Sequence, residues 1–430
     1  MGSGRSASSA LRRVLPTPSS PNIASGGSVH SEGSRLRRLG VVRRASLSHK
    51  RATTGYLDAL GGDKLLKTAF VTVTDAGYLP AACCQLKSVS DHLGDVAADL
   101  FLVCCDVSAD DVANAEKFFA DRNMPVRILL PNFVDERIKP INRRWPRAAY
   151  LRLYFDLIFD DKYDRLIYLD ADTRVRSPLA PLVETDMHGR PVAAVHDFIY
   201  YLTGNIRRRR RELMLKIDAP YLQSGVMVFD WPATLKDGAL ARARKFLEDH
   251  PEGCQEAPDQ DALNAAFEDK WTPIDPRWNL HETYLNFGGR LTPYLEHYTS
   301  TKPWSKKRPA RWRAAAAWYA NELRDTAWAD FVKPQTVVDQ LTSRLVFLRF
   351  RYGPKLRDAI AGKAPVLLGV LKVPVTRSDD VELPWAPRNR KDVEDMTKAL
   401  VAEAAQSVPP IRPPESVLDG FARGNLIGLA

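Results

Sequence analysis

The sequence predicts an α/β fold, a single Rossmann-like domain around a mainly parallel sheet, and three observations indicate it. Short apolar and β-branched runs alternate with helical stretches, as in strand–helix–strand crossovers. Several of these runs are apolar enough to be buried strands. One of them, residues 164–169, leads directly into two carboxylates, Asp170 and Asp172, at the position where open α/β sheets bind their ligands.

Each element follows from this alternation. The runs predicted to be strands lie at residues 69–74, 99–105, 126–130, 164–170, 191–195, 225–229 and 294–298. The stretches predicted to be helices lie at residues 79–92, 110–120, 147–159, 232–248 and 261–267. Together they predict one domain over residues 67–304, with right-handed crossovers between parallel strands.

Segments of different composition flank this domain. Residues 1–66 are rich in Ser, Gly and Arg and are expected to be disordered. They also resemble an organelle transit peptide, but a dispensable tail is the simpler interpretation because no amphipathic helix is sustained. Residues 305–360 predict a basic, amphipathic helical extension, and residues 361–430 predict a proline-rich irregular tail.

Charge and hydropathy indicate which kinds of partner, nucleic acid or membrane, the protein is expected to bind. Of the net charge of +10, residues 1–51 carry +9, from ten Lys or Arg and one acid, so the remaining 379 residues are close to neutral. A near-neutral body without a recognition motif argues against nucleic acid as a partner. No apolar run is long enough to span a bilayer, which predicts a soluble or peripheral protein.

The five cysteines indicate the compartment. They stand as two adjacent pairs and a lone Cys254, without the spacing of a zinc site or a redox Cys-Xaa-Xaa-Cys. Free thiols buried in a reducing environment are the preferred interpretation, and this favours the cytoplasm.

Asp170 and Asp172 predict a metal site. In an extended segment, residues two apart point to the same side, so both carboxylates can converge on one hard cation. A divalent metal held by two carboxylates keeps open positions for the oxygens of a phosphate ligand. The alternative is structural, because acidic pairs after a strand often cap a helix or hold a turn.

A second polar cluster closes the predicted domain. His297 ends a strand and can supply a nitrogen ligand to a metal such as Mn²⁺, while Lys302 can supply a point charge for a phosphate. Near the start of the domain, Asp75 and Tyr78 follow the first strand.

In this order, the motifs resemble the retaining glycosyltransferases of family 8, the group of glycogenin, plant galactinol synthases and bacterial lipopolysaccharide galactosyl- and glucosyltransferases. The resemblance covers residues 68–304 and implies a fold of the GT-A type. It implies transfer of galactose or glucose, with retention, from a UDP-hexose donor and with Mn²⁺ or Mg²⁺ as cofactor. The residues implied as metal ligands are Asp170, Asp172 and His297.

The resemblance also assigns roles along the cleft. The residues implied to contact the donor are Asp75, Tyr78, Arg152, Ala171, Gly225, Ser300 and Lys302. Those implied at the sugar and the reacting carbon are Gln223, Asp259 and Gln260. Retention then requires either a carboxylate nucleophile, for which Asp259 is the candidate, or same-face attack with the departing phosphate oxygen as base, which we prefer.

The acceptor is predicted less directly. The implied acceptor is a glycan or lipid-linked oligosaccharide, and the run Arg207–Arg211 suggests an anionic one, although charge runs are often only solvated faces. The basic segment 306–313 and the amphipathic segment 337–352 suit an anionic membrane surface, or docking on the protein's own body.

The sequence leaves open two alternatives to the transfer of a hexose to a separate acceptor. Gly77 and Ser300 depart from the family pattern in the donor site, so a sugar-nucleotide-binding protein without transferase activity is one alternative. A self-glucosylating or galactinol-synthase-like enzyme is the other.

Overall fold

The computed structural model describes residues 66–142, 145–197, 212–216, 219–281, 284–285, 291–345 and 390–405. The predicted N-terminal tail, residues 1–66, therefore lies outside the described residues apart from Leu66, as does the Arg207–Arg211 run. Among the helices of the described part, none has the length and apolar character needed to cross a membrane.

The strands form two sheets. In chain order they are β1 (Thr68–Thr74), β2 (Ala98–Cys104), β3 (Val126–Leu129), β4 (Arg165–Leu169), β5 (Thr173–Val175), β6 (Val192–His196), β7 (Leu222–Asp230), β8 (Trp271–Pro273) and β9 (Leu295–His297). The main sheet has the order β3-β2-β1-β4-β7-β6-β8, and β5 pairs with β9 in a small separate sheet.

The prediction of a mainly parallel sheet is confirmed. All neighbours in the main sheet are parallel except β7, which runs antiparallel to both β4 and β6. Because β7 is reversed and Leu169 pairs with Val226, residues 222–225 extend past the carboxyl end of β4. The start of β7 thus lies beside Asp170.

The helices surround the main sheet. They are α1 (Leu79–Ser90), α2 (Ala109–Ala120), α3 (Val134–Arg137), α4 (Arg147–Tyr150), α5 (Phe155–Ile158), α6 (Ala180–Val183), α7 (Trp231–Asp237), α8 (Ala239–Asp249), α9 (Pro258–Ala266), α10 (Arg313–Leu323) and α11 (Arg390–Ala405). The single helix predicted for residues 232–248 is broken at Gly238, whose φ of 69° is left-handed and ends α7.

Alternate residues of the strands pack on opposite faces of the sheet. Phe70 and Ile167 belong to one apolar cluster, whereas Val71 and Tyr168 belong to the other. Burial on both faces explains why these strands are continuous apolar runs in the sequence. Tyr319 of α10 and Met396 of α11 lie in the first cluster. The predicted domain limits remain a prediction, but residues beyond 304 contribute to this core.

Candidate active site

Asp170 and Asp172 lie where β4 ends and β5 begins. The intervening backbone is a turn, in which Thr173 donates from its N–H (3.1 Å) and its hydroxyl (2.7 Å) to the carbonyl oxygen of Asp170. The expectation of an extended segment is therefore wrong, although the carboxylates still converge.

The small sheet brings His297 to this turn. Thr173 of β5 pairs with His297 of β9, and Nε2 of the imidazole lies 3.4 Å from Oδ2 of Asp170 and 3.3 Å from Oδ1 of Asp172. The ligand atoms of the three residues all lie within 4.8 Å of one another. Two carboxylates and one imidazole form a donor set that suits a divalent metal such as Mn²⁺.

Gly225 makes this convergence possible. A Cβ atom at Gly225 would lie 2.3 Å from Cε1 of His297 and 2.6 Å from Oδ2 of Asp170, so only glycine fits. Its carbonyl oxygen also accepts from the N–H of Asp170 at 2.8 Å. The resemblance implied Gly225 as a donor contact; in the structure it leaves room for two of the three candidate ligands.

Arg152 joins three parts of the site. It lies in a 3₁₀ turn (Leu151–Tyr154) between α4 and α5, and its Nη2 donates to Asp170 at 2.8 Å. Its Nε lies 3.2 Å from Oδ2 of Asp259, and its Nη1 donates to the carbonyl oxygen and hydroxyl of Ser224 at 3.0 and 3.1 Å. Burial lowers the pKa of Arg152, but Asp170, Tyr168 and Asp259 raise it by more, so the guanidinium stays charged.

Lys302 contacts the turn that carries Asp170 and Asp172. Its Nζ donates to Oδ2 of Asp172 and lies 5.7 Å from the centre of the Tyr78 ring. Burial would raise the pKa of Asp172, yet the Lys302 ammonium beside it holds that pKa below its usual range. Asp172 is therefore an ionised, partly neutralised carboxylate.

The residues expected at the sugar line one wall. Gln260 accepts from the N–H of Ser224 at 2.9 Å and donates to Asp197 at 3.0 Å. Burial raises the pKa of Asp259, and Arg152 opposes this increase. Asp197 was not predicted: it follows β6, and no motif in the sequence marked it.

Asn279 is a second residue that the sequence analysis missed. It ends the 3₁₀ turn Pro276–Asn279, and its Oδ1 lies 2.7 Å from Nδ1 of His297. It also donates to Oε1 of Gln223. Its role arises from packing between distant segments, which a local motif does not reveal.

These residues surround one cleft of about 540 Å³. The predicted site residues in its lining are Asp75, Tyr78, Arg152, Asp170, Ala171, Asp172, Gln223, Asp259, Gln260, His297 and Lys302. Gly225 packs against Asp170 and His297 and is absent from this lining. Ser300 is exposed, and the lining includes Thr299 and Lys302 instead. The cleft thus gathers candidate metal, phosphate and sugar contacts, while the roles of the individual residues remain predictions.

Comparison with known proteins agrees with this arrangement. The model of the family described as "Glycosyl transferase family 8" matches residues 70–308, which is more than half of the chain. The chain belongs to glycosyl transferase family 8. The match spans the main sheet, Asp170, Asp172 and His297, so the sequence-based prediction of this family is confirmed.

Several curated bacterial proteins are similar to this chain. General stress protein A of Bacillus subtilis is 34% identical over 141 residues, or 32% of this chain and 47% of the relative. A lipopolysaccharide 1,2-glucosyltransferase of Escherichia coli is 24% identical, covering 60% of this chain and 77% of the relative. A lipopolysaccharide 1,3-galactosyltransferase of Salmonella typhimurium is 26% identical, covering 39% and 53%. The chain thus spans about half the length of the first and third of these relatives.

Solved structures support the fold. The galactosyltransferase LgtC, in complex with donor and acceptor sugar analogues, superposes with a TM-score of 0.53 at 18% identity, over 61% of this chain and 99% of LgtC. The bifunctional glycosyltransferase WbbM superposes with a TM-score of 0.51 at 20% identity, over 64% of this chain and 53% of WbbM. At these identities the likeness confirms the predicted GT-A type fold alone.

Proposed function

We propose that this family 8 protein is a metal-dependent retaining hexosyltransferase, which moves galactose or glucose from a UDP-sugar to a glycan acceptor. The observation that carries the proposal is the convergence of Asp170, Asp172 and His297 on the floor of the cleft. Two fixed cations, Arg152 and Lys302, flank the same floor. A diphosphate leaving group needs this combination of metal ligands and positive charge.

The three ligands would hold Mn²⁺, or Mg²⁺, which when bound supplies a Lewis acid beside the departing diphosphate. Lys302 binds a phosphate oxygen, and its pKa, which burial lowers but Asp172 raises by more, keeps it protonated. Tyr78 and Asp75, at the mouth formed by the end of β1, bind the uridine. Arg152 holds Asp170 in place.

The route to retention follows from the surroundings of Asp259. This carboxylate is 4% exposed, and its Oδ2 lies 3.2 Å from Nε of Arg152. A nucleophile that is both buried and ion-paired is poorly placed to attack the sugar, which supports same-face attack with the phosphate oxygen as base. Trapping a glycosyl adduct on Asp259 in a Gln260→Ala protein would overturn this route.

The deciding experiment is Mn²⁺-dependent hydrolysis of a panel of nucleotide sugars. We expect hydrolysis of UDP-galactose or UDP-glucose that stops on chelation and in Asp172→Asn. Binding of UDP-sugars without hydrolysis or transfer would instead support the sugar-nucleotide-binding alternative.

For the acceptor, we propose an anionic glycan or lipid-linked oligosaccharide. The similarity to lipopolysaccharide glycosyltransferases supports a surface glycan. The basic run Arg207–Arg211 supports the negative charge, although it lies outside the described residues. Equal losses of activity on phosphorylated and dephosphorylated acceptors in Arg208→Ala/Arg209→Ala would contradict an anionic acceptor.

We also propose that the protein works in the cytoplasm, on the inner surface of a membrane. All five cysteines are buried free thiols, which supports a reducing compartment. In the helical segment at residues 337–345, Val337, Leu341 and Leu345 are more than half exposed. We expect sedimentation with anionic but not neutral vesicles, reduced in Leu341→Glu/Leu345→Glu.

A further inference from the structure

His297 is held by a chain of hydrogen bonds that starts at a backbone amide. The N–H of Gly225 donates to Oε1 of Gln223 at 2.7 Å. The same oxygen accepts from Nδ2 of Asn279, and Oδ1 of Asn279 lies 2.7 Å from Nδ1 of His297. Gln223, Asn279 and His297 are all buried. Three segments of the polypeptide, β7, the 3₁₀ turn Pro276–Asn279 and β9, thus meet in one continuous series of hydrogen bonds.

The first member fixes the direction of every later bond. A backbone N–H can only donate, so the Gln223 atom that faces Gly225 is the carbonyl oxygen. Asn279 must then present its NH₂ group to that oxygen, and it therefore turns its own oxygen to His297. An oxygen at this position requires a proton on Nδ1 of the imidazole.

The turn that carries Asn279 is rigid on both sides. The side chain of Asp275 accepts from the N–H of Arg277 at 2.9 Å, which caps the turn. Directly after Asn279, the N–H of Leu280 donates to Leu295, and the N–H of His297 donates back to Leu280. Asn279 itself has no exposed surface. Its amide is therefore fixed relative to β9.

We infer that Asn279 is a positioning residue that keeps His297 protonated on Nδ1 and presents the unprotonated Nε2 to the metal. This inference rests on the proposed function, because only a metal ligand needs that lone pair. Nε2 faces Asp170 and Asp172 at 3.4 and 3.3 Å. A neutral imidazole free in water prefers its proton on Nε2. A proton there would occupy the lone pair that binds the cation. The hydrogen bond from Nδ1 to Asn279 reverses that preference.

These hydrogen bonds also limit which atoms of Gln223 can contact a sugar. Its Oε1 is engaged by both Gly225 and Asn279. Only its Nε2 remains for the cleft that it lines, so Gln223 meets a sugar as a hydrogen-bond donor. The amide of Gln223 thus connects His297, through Asn279, to the sugar pocket.

The tautomer of His297 can be read without any metal or activity. Two-bond nitrogen–hydrogen correlations on the metal-free, ¹⁵N-histidine-labelled full chain distinguish the two tautomers, at a pH where the imidazole is neutral. The His297 signal is the one missing from His297→Gln. We expect the Nδ1–H form in the wild type and a shift towards the Nε2–H form in Asn279→Ala. Retention of Nδ1–H in Asn279→Ala, or Nε2–H in the wild type, would overturn the inference.

Two further variants separate positioning from simple stability. Asn279→Asp still offers His297 an acceptor but turns a second oxygen towards Oε1 of Gln223, so it should lose stability yet keep the Nδ1–H form. Asn264→Ala removes another buried amide, one that bonds the backbone of Leu222, and should leave the tautomer unchanged. A merely structural Asn279 would give lower thermal stability in both Asn279 variants with an unaltered tautomer.

Calorimetric titration with Mn²⁺ alone connects the tautomer to the metal. Asn279→Ala should weaken Mn²⁺ binding about 10–100-fold, whereas Asn264→Ala should bind as the wild type does. Wild-type affinity in Asn279→Ala would overturn the inference. A wild-type protein that has Nδ1–H on His297 and yet binds no Mn²⁺ would support the hydrogen-bond chain while overturning the proposed metal site.

Discussion

No Cβ atom fits between Gly225 and His297. A methyl group at Gly225 would approach Cε1 of the imidazole to 2.3 Å. Gly225→Ala should therefore push His297 away from Asp170, weaken Mn²⁺ binding at least about tenfold, and cost about 1–3 kcal/mol of stability through overpacking. Thermal unfolding with and without Mn²⁺ measures both effects.

Gly77→Ala is the matched control for this substitution. A Cβ at Gly77 meets only Oδ1 of Asp75, at 3.3 Å, so the Mn²⁺-induced rise in melting temperature should persist. If Gly225→Ala bound Mn²⁺ as tightly as Gly77→Ala, the packing argument for Gly225 would be wrong.

Replacing Arg152 by lysine tests how much the several hydrogen bonds of its guanidinium group contribute to stability. Lysine keeps the positive charge but cannot reach Asp170, Asp259 and Ser224 together. Because a buried carboxylate then loses a charged hydrogen bond, we expect Arg152→Lys to lower the free energy of unfolding by about 1.5–3 kcal/mol. Urea unfolding measures this loss, and Arg127→Lys, which alters an exposed ion pair with Asp99, is the control. Equal, small losses in the two variants would contradict the role given to Arg152.

Asp259 should make stability depend on pH. Burial raises its pKa in the folded protein above the unfolded value of about 3.9, so the folded state keeps the proton to a higher pH. Stability from this group is then lost as pH rises from the unfolded pKa through the folded pKa. Relative to Asp259→Asn, the wild type should lose stability with rising pH in this window. A difference in unfolding free energy that is constant with pH would show that the folded pKa is not raised.

Lys302→Met separates phosphate binding from metal binding. We expect KM for the UDP-sugar to rise about 10–100-fold, since a charged contact contributes about 1.5–3 kcal/mol. Mn²⁺ affinity of the free protein should hold or rise, because the carboxylate of Asp172 loses a competing cation. Lys307→Met, on an exposed segment that is absent from the lining of the cleft, is the charge control. Weaker Mn²⁺ binding in Lys302→Met would contradict this division of roles.

Local patterns predicted much of the fold and the chemical core of the site. The alternation of apolar runs and helices predicts the strands, and local motifs predict Asp170, Asp172 and His297. The family resemblance adds Arg152, which the structure brings together with them. The direction of β7 could not be predicted, because a strand buried on both faces has the same composition in either direction.

The residues that could not be predicted from the sequence were hidden for one physical reason. Asn279 and Asp197 act through partners far away in sequence, His297 and Gln260, and nothing adjacent to them marks those contacts. The reason for Gly225 was also hidden, since its need for space comes from His297, which approaches from another strand. Contacts of this kind depend on tertiary packing and become visible only in three dimensions.

The small sheet of β5 and β9 gives the site a built-in weakness. It consists of three residue pairs, and a two-stranded sheet is marginally stable by itself. Local opening of β9 would carry His297 away from Asp170 and Asp172 while the seven-stranded sheet stays intact. A cation that binds all three side chains would oppose this opening by mass action. It would thereby cross-link the turn of Asp170 and Asp172 to β9.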